Sequence, residues 1–214
     1  MLKYKIYNLI QSYETNTYLV WDTDSSEAIL IDPAAPSDLL RNDIRQLNLY
    51  LKMIINTHGH GDHIGGNKFF SEQLACPIAI QEKDASLLCD PNQNFTEIMG
   101  LKYEPKAASI LFKENETFYL GQSLCEIIHT PGHTAGGLVI YADPYLFSGD
   151  TLFYREIGRT DLPNGNYHQL ISSIRTRLFV LPNDTIVLPG HGESTTIGDE
   201  KKDNPYCSNS ARYS

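Results

Sequence analysis

Positive charge is scarce in this chain: 17 Lys and Arg stand against 26 Asp and Glu, for a formal charge of -9 at pH 7. A surface of that sign repels phosphate backbones and anionic membranes, and no basic run makes a local exception, so neither nucleic acid nor a membrane surface is an expected partner. Long apolar runs are missing too. None approaches the roughly 20 residues of a bilayer-spanning helix. Residues 1–21 mix Lys3, Lys5 and Glu14 into their apolar positions and lack the apolar stretch and small-residue cleavage site of a secretory signal. With no lipidation motif either, a cytoplasmic location is the expectation. Cysteine is sparse: Cys76, Cys89, Cys125 and Cys207 form no C-x-x-C pair and have no zinc-finger histidine spacing, so they read as buried free thiols. Linker-like Gly/Ser stretches, charge blocks and repeats are absent as well, which predicts one domain over residues 1–214.

What is present is a succession of short strands and helices. Alternation over Leu2 to Tyr7, Thr17 to Trp21 and Ala28 to Ile31 predicts an antiparallel meander. Ser37 caps a helix with Leu40, Ile44 and Leu47 on one face, and Lys52 to Asn56 returns as a strand. Ile64 to Leu74 reads as a helix, Pro77 to Ile80 as a strand, and Glu82 to Leu88 and Phe95 to Met99 as short helices. Later come the strands Thr117 to Leu120 and Leu124 to Ile128 around Gly121-Gln122-Ser123, then Leu138 to Tyr141 and Tyr145 to Phe147 around Asp143-Pro144. A long helix, Tyr167 to Leu181, leads to a strand from Thr185 to Leu188. Strand groups with helices in each half suggest two sheets face to face with helices outside, although periodicity alone allows other α+β arrangements.

Chemistry concentrates after the strand Lys52 to Asn56, in Thr57-His58-Gly59-His60-Gly61-Asp62-His63-Ile64-Gly65-Gly66. Imidazoles and a carboxylate suit zinc, iron or manganese, and the glycines let the backbone curl so that these side chains converge. Six residues cannot enclose a pair of metals. Three further candidates, His133, Asp150 and His191, each sit just past a strand and behind a glycine, as ligands on a shared rim of loops would. Spacing alone leaves His129 open as an alternative to His133, while His168 reads as a solvated helix residue. Thr57, Thr134 and Thr151 adjoin these positions and are candidate partners for the ligands' second ring nitrogens.

These motifs, with His129-Thr130-Pro131-Gly132-His133-Thr134, Ser148-Gly149-Asp150-Thr151-Leu152-Phe153 and Pro189-Gly190-His191-Gly192, resemble the metallo-β-lactamase superfamily, and within it the glyoxalase II-type hydrolases. The resemblance covers nearly the whole chain and implies an αββα sandwich. It implies His58, His60 and His133 on one divalent metal, Asp62, His63 and His191 on a second, and Asp150 bridging both. Zinc is the first expectation for the pair, with iron or manganese as alternatives. The implied catalyst is a hydroxide held between the metals, oriented by Asp62 and Asp150 and acting on a small thioester such as S-lactoylglutathione. A persulfide dioxygenase-like mononuclear iron oxidoreductase is the main alternative, since that branch also resembles Gly158-Arg159-Thr160-Asp161; a lactonase and a non-catalytic metal-binding protein are further ones. Longer glyoxalase II enzymes meet glutathione with two tyrosines where this chain has Asp161 and Glu193, while Arg159 keeps a cation in the place of their lysine and is the candidate substrate residue. The run from Thr195 to Pro205 resembles a short bacterial glyoxalase II-like subgroup.

Overall fold

The computed structural model describes residues 1–208, so residues 209–214 of the expected domain lie outside the described residues. Strands β1 (Leu2–Asn8), β2 (Asn16–Asp22), β3 (Glu27–Ile31), β4 (Tyr50–Ile55), β5 (Ile78–Gln81) and β6 (Ile110–Phe112) form one sheet in that spatial order. Short turns make the first three antiparallel; longer connections bring β4, β5 and β6 in parallel. In the second half, β7 (Thr117–Leu120), β8 (Ser123–His129), β9 (Leu138–Ala142) and β10 (Tyr145–Gly149) form an antiparallel meander. A small ribbon follows, β11 (Leu152–Phe153) with β12 (Glu156–Ile157), after which β13 (Ile186–Pro189) joins β10 in parallel and β14 (Thr195–Thr196) closes the second sheet.

Three apolar layers follow from strands buried on both faces. Ile29 and Ile31 point inward to meet Ile127, Ile140, Phe147 and Leu188 between the sheets. Leu30, one residue out of phase, points outward against Leu40 and Ile44 of helix α1 (Asp38–Gln46). On the far side Val139, Leu146 and Val187 pack against Leu170, Ile171, Ile174 and Leu178. The molecule is an αββα sandwich of two mixed sheets, as expected. No helix among the described residues is long and apolar enough to cross a membrane.

Several local expectations change. Ser37 caps α1 by accepting from the Leu40 N–H at 3.2 Å, as predicted, but the helix expected over Ile64 to Leu74 is two: α2 (Gly61–Ile64) and α3 (Asn67–Leu74). Gly65 and Gly66 part them, because the backbone presses on the 33–35 segment so closely that a Cβ on Gly65 would lie 2.3 Å from the Ala34 carbonyl oxygen. The first short helix, from Glu82 to Cys89, is of 3₁₀ type and the second is α4 (Thr96–Met99). The long helix splits likewise, into α5 (Tyr167–Ser173) and a π-helical turn from Ile174 to Leu178. A last helix, α6 (Ile197–Asp203), was not anticipated. All four cysteines are free and three are buried, but Cys89 is exposed on the surface end of its 3₁₀ segment.

Candidate metal centre

The carboxyl ends of β4, β8, β10 and β13 open onto one rim, and the loops after them carry every metal-ligating candidate. His58 and His60 lie in the turn after β4, with Asp62 and His63 in the single turn of α2. Asp150 directly follows β10, and His191 follows β13 through Gly190. That glycine is required for space: a Cβ there would lie 2.3 Å from Asp150 Oδ1 and 2.8 Å from His63 Cε1.

Two groups of donors result, His58 with His60 and His133, and Asp62 with His63 and His191. In the first, His133 Nε2 lies 2.9 Å from His60 Nδ1; in the second, His63 Nε2 lies 3.2 Å from His191 Nε2. Asp150 stands between them. Its Oδ2 is 3.5 Å from His133 Nε2 and 4.0 Å from His58 Nε2, while its Oδ1 is 3.4 Å from His63 Nε2 and 3.6 Å from His191 Nε2. All seven predicted residues therefore converge. His129 does not: its Nε2 meets the Ala135 carbonyl at 2.9 Å, within its own loop. His168 is exposed on α5, also as expected.

The outward nitrogens of four rings are engaged, so in its neutral form each ring turns a lone pair inward. His133 Nδ1 donates to the Arg159 carbonyl and His191 Nδ1 to the Tyr13 carbonyl, each at 2.8 Å, and His63 Nδ1 donates to Asp32 at 3.0 Å. Thr57 gives its hydroxyl proton to Asp32 Oδ2 at 2.6 Å, so at 3.1 Å it accepts from His58 Nδ1. His58 Nε2 and Asp150 Oδ1 are buried with no hydrogen-bond partner. Orphaned acceptors of this kind, aimed at one point, fit a cation.

Electrostatics separates the two groups. Burial, reinforced by neighbouring imidazoles, holds His58 well below the ordinary imidazole range and pushes His60 down to about 3, so these two rings are neutral and ready to ligate. At His63 burial acts in the same direction but is outweighed by Asp150, Asp62 and Asp32, which raise it to about 10; His191 is likewise raised, against burial, by Asp62 and Asp150. Asp62 is lowered despite its burial by His63 and His191. A divalent ion at the second group would take the place of the proton these carboxylates attract.

Two buried carboxylates escaped the sequence reading. Asp32, just past β3, accepts from the Thr57 N–H at 2.7 Å as well as from Thr57 Oγ1 and His63. A third donor group, Asp32 with His58 and His63, is geometrically compact, but both Asp32 oxygens are already engaged and it serves as the partner that orients His63. Asp84 ties two ligand loops together, accepting from the Gly59 N–H, the Thr134 hydroxyl and the Gly136 N–H at 3.1, 2.7 and 2.7 Å. Of the three candidate threonines only Thr57 meets a ligand ring; Thr151 pairs with Thr130.

The segment before β2 secures the second group. Thr15 Oγ1 donates to Asp62 Oδ2 at 3.1 Å, and Asn16 Nδ2 donates to the Pro189 and Gly192 carbonyls at 3.1 and 2.9 Å. Asn16→Ala leaves the Gly192 carbonyl without its side-chain donor, at about 1–3 kcal/mol if that group stays dry, while the Pro189 carbonyl keeps the Tyr18 hydroxyl at 2.6 Å. It should weaken binding at the His191 group by about tenfold, as loss of an outer partner does, and leave the His58 group occupied. Chelator competition on the metal-loaded protein would read the difference.

The metallo-beta-lactamase superfamily model matches residues 13–191, an interval that contains both donor groups and Asp150. The chain belongs to the metallo-beta-lactamase superfamily. Among curated relatives it is 37% identical, over 92% of this chain and 94% of the other, to "Hydroxyacylglutathione hydrolase GloC" of Haemophilus influenzae. Solved structures similar to it include BLEG-1 B3 metallo-beta-lactamase, with TM-score 0.89 and 33% identity over 96% of this chain and 99% of that one. A di-iron-bound form of TTHA1623 gives 0.83 and 30% over 94% and 99%, and ETHE1 from Myxococcus xanthus gives 0.76 and 29% over 95% and 84%. As a member of this superfamily the chain is a metal-binding, hydrolase-like protein, and the donor groups are residues that could hold its metal.

Over them opens a cleft of about 1170 Å³. Its floor is His60, Asp62, His133, Asp150 and His191, and its walls are apolar or aromatic, with Phe95, Met99, Phe153, Ile157 and Leu162 among them. Phe95 leans on His60 at 5.2 Å between ring centroids. Arg159 lines the cleft and is paired through Nε and Nη2 with both oxygens of Asp161, at 2.8 and 2.9 Å.

Proposed function

We propose that the protein is a binuclear metallohydrolase that cleaves small thioesters of the S-lactoylglutathione type. The observation that carries this reading is Asp150, whose two oxygens face the two donor groups. His58, His60 and His133 would hold one ion, Asp62, His63 and His191 the other, and Asp150 both, with zinc as the first expectation and iron or manganese as the alternatives. The donor set, imidazoles with carboxylates and no thiolate, suits any of the three. Residues 1–214 act in this reading as one domain, working in the cytoplasm on a small molecule. The relative named as a hydroxyacylglutathione hydrolase supports the thioester class.

Bound divalent ions supply such a site with a water of pKa near roughly 7 and a Lewis acid for a carbonyl. The chain's own residues do the rest. Asp62, held by Thr15, and Asp150, held against Gly190, present fixed carboxylate oxygens to the nucleophile and keep its orientation toward the acyl carbon. The carbonyls of Arg159 and Tyr13 fix the His133 and His191 rings. The walls around Phe95 and Phe153 exclude bulk water from the acyl group, which strengthens each polar contact within.

Protein purified without chelator should contain about two equivalents of zinc, iron or manganese and should hydrolyse S-lactoylglutathione or a simpler thioester under anaerobic conditions. The likeness to ETHE1 favours a second reading, a single-iron persulfide dioxygenase. One tightly held iron, oxygen consumption with glutathione persulfide and no loss of any thioester would replace the first reading with the second.

A further inference from the structure

The charge lining the cleft is one-sided. Among the described residues Arg159 is the only Lys or Arg lining the cleft, and its bidentate contact with Asp161 cancels its charge two residues away. Glu14, Glu156 and Glu193 also line the cleft. At the floor two divalent ions would more than offset Asp62 and Asp150; nearer the mouth the three glutamates have no ion-pair partner among the described residues. A carboxylate arriving from a substrate therefore meets three like charges and a cation already shared. The mouth is apolar besides: Ile98 is 86% exposed, and Tyr154, Tyr167 and Tyr206 present ring surface at 47%, 38% and 38% exposure. An apolar or cationic arm would find contact area there, and aromatic faces attract a quaternary ammonium.

From this we infer that the cleft selects acyl thioesters whose thiol carrier has an apolar arm and no net negative charge, with Asp161 the residue that withholds Arg159 from carboxylates. The inference rests on the thioesterase reading and narrows its substrate: glutathione, with two carboxylates and one ammonium, is a disfavoured carrier. An exposed ion pair such as Arg159–Asp161 adds little to stability. Its effect is on recognition, where charge at a rim sets partner preference and encounter rate.

The test uses the full-length, metal-loaded protein and three thioesters with one acyl group, carried on glutathione, N-acetylcysteamine and thiocholine. The neutral and cationic carriers should exceed glutathione in kcat/KM by about five- to tenfold, with the difference in KM, as one or two unscreened charges at contact distance imply. Raising salt from about 0.05 to about 0.5 M should shrink that preference. Asp161→Asn, a change at an exposed side chain, should raise the ratio of glutathione to neutral turnover by a similar factor. Calorimetric binding of S-hexylglutathione against S-hexyl-N-acetylcysteamine supplies a readout without turnover. If no thioester is cleaved but the neutral conjugate binds more tightly, the thioesterase reading fails and the charge selectivity stands. A glutathione carrier preferred in turnover or binding, no binding of either conjugate, a salt-independent ratio, or a ratio unmoved by Asp161→Asn overturns the inference.

Discussion

Asp150→Asn should lower thioester turnover by about 10³-fold or more, the loss of several kcal/mol of metal-derived stabilisation, and should reduce bound metal from about two equivalents to one or fewer. The substitution keeps the side chain's size but removes its charge and one acceptor. Because Oδ2 faces His58 and His133 while Oδ1 faces His63 and His191, the new amide must aim its N–H groups at one donor group or the other. Whichever it faces loses an anionic ligand and gains a donor where a cation belongs. The fold should survive, since Asp150 Oδ1 makes no hydrogen bond that the backbone depends on and the strands on either side are anchored by their own ladders. Circular dichroism, elemental analysis and turnover in excess metal would separate these effects. A variant that keeps both ions and most of its activity would remove Asp150 from the bridging position.

Much of the fold was legible because its strands announce themselves locally. Ala28-Ile29-Leu30-Ile31 is uninterrupted in the sequence since one face meets the other sheet and one meets α1. The breaks were less legible. Ile64 to Leu74 has a helical pattern throughout, and only the closeness of the 33–35 backbone, a tertiary contact, makes Gly65-Gly66 a boundary. Strands of two or three residues such as β6, β11, β12 and β14 carry too few positions for an alternation to show. Their pairing is set by neighbours already in place.

The candidate ligands were legible for the opposite reason: each lies in a short, glycine-punctuated loop whose composition is unusual by itself. Asp32 and Asp84 were not, because their partners are distant in sequence. Asp32 lies 25 residues from Thr57 and 31 from His63, and Asp84 lies 50 from Thr134. The signal that could have found Asp32 was a lone carboxylate directly after the apolar run Ala28 to Ile31 and just before Pro33; its backbone φ is 48°. A charge there, behind buried strand residues and 1% exposed, needs donors, and the motif at Thr57 to His63 provides them.

That geometry gives Asp32→Asn an effect larger than one lost hydrogen bond. The new amide oxygen can still accept from the Thr57 N–H, which leaves its NH2 group facing Thr57 Oγ1 and His63 Nδ1, where a carboxylate oxygen had accepted from both. His63 must then accept at Nδ1, so its proton moves to Nε2, the nitrogen turned toward Asp62, Asp150 and His191. Thr57, now accepting from the amide, frees its hydroxyl proton for His58 Nδ1, and the His58 proton moves to Nε2 as well. One buried substitution thus blocks a lone pair in each donor group. Metal affinity should fall by about 100-fold, at the upper end of what outer partners contribute, at both sites and with far-UV circular dichroism unchanged. Asp32→Ala is the informative contrast: it removes the acceptor without imposing a donor, so it should cost stability, about 1–3 kcal/mol for each donor left unpaired, more than it redirects protons. Nitrogen NMR of the imidazoles in the metal-free proteins would show His58 protonated at Nε2 in the Asn variant and at Nδ1 in the parent, and His63 protonated at Nε2 alone in the variant and at both nitrogens in the parent. If the parent and Asp32→Asn share one tautomer pattern and one metal affinity, Asp32 does not set the protonation of either ring.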